Sequence, residues 1–197
     1  MPDAPSPLSA AERAFLARMP KPELHGHLEG SVRPETLLEL GRRHGIEYPF
    51  ADAAGAREWY RFRDFPHFIE VFMGVCDSLQ TAEDYERVTW ELGETARAEN
   101  IPYLEVTISP TSPLKPRTKA MPDLVLAGCR AGARQAWDDF GVRMQFIVDA
   151  VRVRGPEEVM AIAGWCVANL GDGLVGIGLG GTEVGYPAAA HATAIDF

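Results

Sequence analysis

Residues 22–30 read PELHGHLEG, and they place two of the chain's five histidines, His25 and His27, one residue apart. In a strand, side chains alternate between faces, so residues two apart point the same way. His25 and His27 then stand side by side, while Gly26 faces the other way and takes little room. Glu29 adds a carboxylate two residues on, and Gly30 lets the chain turn. An H-x-H run by itself also describes two histidines at a wet strand end. The residues around it decide which it is.

Before this run, a Pro/Ala/Ser arm gives way to a short helical pattern around Ala10–Arg18. After it, RPETLLELGRRHG predicts a helix with Pro34 in the first turn, Leu37, Leu38 and Leu40 as apolar positions, and Gly45 as the stop. Residues 46–66 read as irregular. From Pro66, HFIEVFMGVCDSL is helical, with Phe68, Ile69, Phe72, Val75 and Cys76 on one stripe. Thr81 and Asp84 form a capping-box pair ahead of a helix that buries Tyr85, Val88, Leu92 and Ala96. IPYLEVTIS is a second strand, followed by the loop PTSPLKPRTKAMP and a helix from about Asp123 to Phe140 that Gly141 stops. VRMQFIVDAV is a third strand. Pro156 opens a helix with Val159, Ala163, Cys166 and Leu170 at helical spacing, LVGIGLGG is a fourth strand, and AAAHATAIDF begins another helix.

Strand and helix alternate, and the strands are almost continuously apolar. That is the pattern of parallel βα units with both sheet faces covered. About four units are present, whereas a (β/α)8 barrel needs eight in typically ~250 residues. The final helical pattern has no terminator before Phe197, so the chain reads as truncated at its C-terminal side.

Composition narrows the class of function. The 197 residues are 46% hydrophobic and 24% charged, which is ordinary for one globular core. No apolar run approaches the ~20 residues that span a bilayer. The opening MPDAPSPLSAAERAF lacks the basic and apolar segments of a secretory signal, which points to the cytoplasm. Net charge is -9, with no basic cluster beyond pairs such as Arg42 and Arg43, so neither nucleic acid nor an anionic membrane is an expected partner. Cys76, Cys129 and Cys166 are too far apart for a C-x-x-C site and odd in number, which suits reduced thiols. A small molecule is the expected partner, and oligomeric state is left open.

In this order, four stretches resemble the adenosine/adenine deaminase family of metal-dependent purine aminohydrolases, and the resemblance covers essentially all of residues 14–197. MPKPELHGHLEG with SVRPETLLELGRRHG resembles the family's first barrel strand and the segment after it. FPHFIEVF resembles its mobile helix over the pocket, YLEVTISP its second strand, and LVGIGLGGTE its fourth-strand motif V-G-x-D-L-A-G-x-E. The resemblance implies a (β/α)8 TIM-barrel type of α/β fold, with residues 1–197 as the N-terminal half of a single barrel. It implies that His25 and His27 are metal ligands, for one divalent ion such as Zn2+. It also implies an apolar pocket wall from Phe68, Ile69 and Phe72, and a purine contact at Gly181.

The chemistry suits these residue types. Replacing an amino group on a purine ring needs a hydroxide at neutral pH, which bound Zn2+ supplies by lowering its water's pKa to ~7. The cytidine-type deaminases need P-C-x-x-C, and no C-x-x-C is present. The implied activity of the full-length protein is hydrolytic deamination of adenosine to inosine and ammonia, with adenine or aminodeoxyfutalosine as alternative substrates. A barrel fragment acting as a non-catalytic binding module is the alternative of another class.

Departures from the pattern matter. The family's H-A-G-E, which carries a third metal histidine and the acid glutamate, follows the fourth strand, as do a further histidine and an aspartate. None occurs up to Phe197, so no catalytic acid is expected in this chain and the chain alone is expected to be inactive. Gly178 stands where the motif has an aspartate. Glu29 stands where adenosine-specific members often carry an aspartate, and reads either as a substrate contact or as a cap on the turn. Phe68, Ile69 and Phe72 read as pocket wall or as core, and Gly181 as a purine contact or a turn residue needing positive φ. His44 reads as a helix C-terminal residue favoured by the dipole, His67 and His191 as surface residues, and Cys129 and Cys166 as core.

Overall fold

The strands legible in the sequence pair edge to edge in a computed structural model, which describes residues 8–110 and 122–196. β1 (Glu23–His27), β2 (Tyr103–Ile108), β3 (Arg143–Val151) and β4 (Leu174–Gly180) form one sheet in chain order, with every neighbouring pair parallel. Parallel neighbours need long crossovers, and here each one is helical. The loop predicted after β2 lies almost wholly outside the described residues.

Local chemistry sets the helix boundaries. α1 (Ala10–Arg18) starts at a capping box of Ser9 and Glu12, and α2 (Pro34–His44) starts on Pro34 and ends at Gly45, which takes the left-handed φ of 65°. The segment predicted to be irregular contains α3 (Ala53–Trp59), whose first turn Asp52 caps by accepting the Gly55 N–H at 2.8 Å. Seven residues are too few for a readable period. The helix is held instead by tertiary contact, with the Trp59 ring 5.3 Å from Phe50, which stacks on Tyr48 at 5.1 Å. α4 (Phe65–Cys76) is capped by Asp64, and α5 (Ala82–Ala98) by the predicted Thr81–Asp84 box. α6 (Pro122–Phe140), α7 (Pro156–Ala168) and the short α8 (Ala192–Ile195) complete the helical layer.

The core lies between this layer and one face of the sheet. Leu104, Val106 and Ile108 of β2 and Met144, Phe146 and Val148 of β3 are all buried there. The other face differs from the sequence reading, which has both faces covered. Alternation along β2 and β3 puts Tyr103, Glu105, Thr107, Gln145, Ile147 and Asp149 on it, and most are only half-buried. That face is concave, and at its C-terminal end it opens into a cavity.

Both outer strands are edges. Leu24 on β1 and Val175 and Ile177 on β4 are 58%, 50% and 40% exposed. The three cysteines are buried, and among the described residues none forms a disulfide. His191, read as a surface residue, is 2% exposed because the turn before α8 folds back against α7. Among the described residues no helix is long and apolar enough to cross a membrane.

Candidate active site

The alternation that selects the core also delivers the site. His27 lies in register with Thr107, on the concave face, and His25 shares that face. Both line a cavity of about 720 Å³ at the C-terminal ends of the strands, where the chain leaves the sheet in loops free to carry function. Their ring centres are 5.5 Å apart and tilted by 36°. Phe72 meets His27 edge-on at 6.5 Å.

α4 forms the opposite wall. Its apolar stripe splits between two tasks, with Val71, Val75 and Cys76 buried and Phe68, Ile69 and Phe72 facing the cavity. Phe68 and Phe72 pack at 5.9 Å, and Phe65 and Phe62 extend the ring series outward at 6.0 and 5.1 Å from Phe68. The walls are thus largely apolar, with two imidazoles on the strand side.

Gly181 lines the cavity directly after β4, at φ 93°. Only glycine takes that φ without strain. Arg152, at the exit of β3, holds the same loop. Its guanidinium is almost fully buried, donates to the carbonyl oxygens of Leu179 (2.7 Å), Gly180 (3.3 Å) and Tyr186 (3.4 Å), and pairs with Glu183 at 3.1 Å. A buried arginine surrounded by acceptors stiffens the loop it binds.

Glu29 stands behind the cavity wall. It is 1% exposed, and its Oε1 accepts the backbone N–H of Ser109 at 2.8 Å, which ties the exit of β1 to that of β2. Among the described residues its buried Oε2 has no hydrogen-bond partner. Burial pushes the carboxyl up to about 7, and the Ser109 N–H pulls the other way.

Two further residues escape sequence reasoning. One is Arg152, whose acceptors lie 27 to 34 positions along the chain. The other is Asp149, two residues before the end of β3, which lines the cavity beside the histidines. Burial raises its pKa, while His27, His25 and Arg152 oppose the rise. An aspartate on the face of Gln145 and Ile147 carries no local signature; only the partner strands reveal what it faces.

The donor set bears on a metal. An ion held ~2.0–2.1 Å from one nitrogen of each imidazole in tetrahedral geometry places the ring centres about 5 Å apart, close to the spacing here. His25 and His27 therefore fit two positions of a ligand set. Among the described residues no group of three His, Cys, Asp or Glu could hold an ion.

Comparison with known proteins places these features. The family model described as Adenosine deaminase matches residues 20–196. An adenine deaminase from Vibrio parahaemolyticus is 31% identical over 176 residues, 89% of this chain and 51% of the relative. An aminodeoxyfutalosine deaminase from Streptomyces coelicolor is 32% identical over 187 residues, 93% of this chain and 46% of the relative. Among solved structures, an amidohydrolase from Burkholderia ambifaria with bound Zn superposes with a TM-score of 0.85 at 30% identity, over 98% of this chain and 53% of that one. The chain spans about half the length of the curated relatives it matches. With a parallel sheet whose first strand turns two histidines toward an aromatic-walled cavity, and a family match over residues 20–196, the chain belongs to the adenosine deaminase family.

Proposed function

We propose that residues 1–197 are the N-terminal half of a zinc-dependent hydrolase that removes the 6-amino group of a purine. One observation carries the reading: His25 and His27 share a single cavity with Gly181 and the Phe68–Phe72 wall. In this reading the purine lies against Phe68, Ile69 and Phe72, which exclude water from its faces, and the backbone of Gly181 meets its edge. Glu29 acts on the ligand through Ser109, whose backbone it fixes at the cavity wall. His25 and His27 hold Zn2+, which supplies a hydroxide at neutral pH when bound.

The substrate is a 6-aminopurine base or nucleoside. Adenosine, adenine and aminodeoxyfutalosine are the candidates, and the last two are the substrates in the names of the relatives. Two ligands fall short of the three that a catalytic zinc site usually has, so the chain alone is expected to give no turnover. The test is to supply the C-terminal half of an adenine deaminase relative, fused or co-expressed, and to follow ammonia release and the ultraviolet change with each of the three substrates. Zinc-dependent turnover that His25→Ala and His27→Ala each abolish is the expected result. Turnover indifferent to both substitutions, or turnover by the 197-residue chain alone, would overturn the assignment.

A further inference from the structure

Val151 and Val153 line the cavity, whereas Arg152 between them does not. Arg152 is 7% exposed and lies behind the loop leaving β4, whose Gly180, Gly181 and Thr182 form part of the cavity wall. The guanidinium therefore grips this wall from the back.

The grip fixes the direction of the main chain. Nη2 donates to the Leu179 carbonyl oxygen at 2.7 Å and Nε to that of Gly180 at 3.3 Å. In a trans peptide the C=O and N–H point in opposite directions, and among the described residues no peptide bond is cis. With the Gly180 carbonyl turned back to Arg152, the Gly181 N–H of the same peptide faces the cavity side of the wall. Among the described residues no hydrogen bond takes that N–H. Gly181 does not hold this direction by itself, because glycine at φ 93° has no side chain to restrict it. Arg152 restricts it from outside, and its charge on the carbonyl polarises the peptide, which strengthens the N–H as a donor.

We propose that Arg152 is a positioning residue, which orients the Gly180–Gly181 peptide so that its N–H donates to an acceptor on the bound ligand. The proposal rests on reading the cavity as a purine site, where the acceptor is a ring nitrogen. An arginine that only knits β3 to the loop would stabilise the fold without distinguishing one ligand from another.

Equilibrium dialysis of the 197-residue chain compares adenosine with three analogues, each having one ring nitrogen replaced by C–H. The parent is expected to bind one analogue about 10-fold more weakly than adenosine, which identifies the nitrogen that meets Gly181. In Arg152→Met, adenosine affinity is expected to fall about 10-fold and the penalty for that analogue to shrink to within about 2-fold. Arg152→Lys, which keeps the charge and can donate to one carbonyl, is expected to restore part of both. Unchanged affinity in Arg152→Met, or an equal loss for all four ligands with the penalty intact, would overturn the proposal. Nuclear magnetic resonance of the parent gives a second reading that needs no folded variant. Adenosine is expected to shift the Gly181 amide proton downfield and slow its exchange with solvent. A Gly181 amide unmoved by bound adenosine, or equal binding of all four ligands by the parent, would overturn the proposal and leave the purine reading in place. Failure of the parent to bind adenosine or any analogue would overturn both together.

Discussion

Asp84 gathers four partners around one buried carboxylate. It accepts the N–H groups of Gln80 (3.0 Å) and Thr81 (2.9 Å), and it meets Arg43 at 2.9 Å and His44 at 2.7 Å from the end of α2. His44, read from sequence as a helix-dipole residue, is thus a tether between α2 and α5. Burial alone would raise the pKa of Asp84, but the two N–H groups and the His44 ring outweigh it and hold the carboxyl below the usual range. A folded pKa below the unfolded one means stabilisation that is complete above about pH 5 and lost as pH falls through the folded value. Asp84→Asn is expected to cost about 1–3 kcal/mol at pH 7, because the part-buried N–H groups, the His44 ring and the half-exposed Arg43 guanidinium lose the anion they share. Urea unfolding of both chains from pH 7 down to pH 3 should show the gap closing as the medium becomes acid. A pH-independent gap would mean that shape, not charge, makes the difference.

Between elements, small residues decide how closely helices approach. α6 lies on α5 with Gly132 against the Glu86 carbonyl, where an added Cβ would overlap the oxygen and sit 2.7 Å from Thr89 Cβ. Both backbones are helical there, and neither can yield without breaking its own ladder. Gly132→Ala gains about 1 kcal/mol of helix propensity but overpacks the interface by typically 1–3 kcal/mol. A net loss of stability, visible as a lower Tm, is therefore expected. Gly164 in α7 is the matched control, since a Cβ there meets nothing within 4 Å. Gly164→Ala should stabilise by roughly 0.5–1 kcal/mol. Equal effects at the two positions would show that propensity alone governs them.

At the scale of the whole molecule, the sheet of the described residues ends in two strands unpaired on their outer sides, β1 and β4. Leu24 marks one, Val175 and Ile177 the other, and α1 beside β1 buries none of its own residues and leaves Phe15 59% exposed. Unpaired strand edges with apolar side chains recruit further strands. The isolated 197-residue chain is therefore expected to self-associate with rising concentration in sedimentation velocity runs. Ile177→Lys, which places a charge on the β4 edge, should shift that association to higher concentration. A monomer across the whole concentration range, with a cooperative melt, would contradict this expectation.

Local sequence carried the elements and the H-x-H pair, because both rest on short-range physics. Strand alternation alone turns His25 and His27 to one face, capping boxes mark the starts of α1 and α5, and Gly45 marks the end of α2. The cavity wall at Phe68, Ile69 and Phe72 was legible only as a helical stripe, since periodicity does not say whether a stripe meets core or open space. Tertiary structure decided that α4 lies over the strand ends. It also turned Glu29 inward to Ser109, buried His191, stabilised α3 through Tyr48, Phe50 and Trp59, and set Asp149 over two glycines of the next strand. Each of these depends on residues far apart in the chain. Their contacts form only when parallel strands come into register, and no local pattern encodes that pairing.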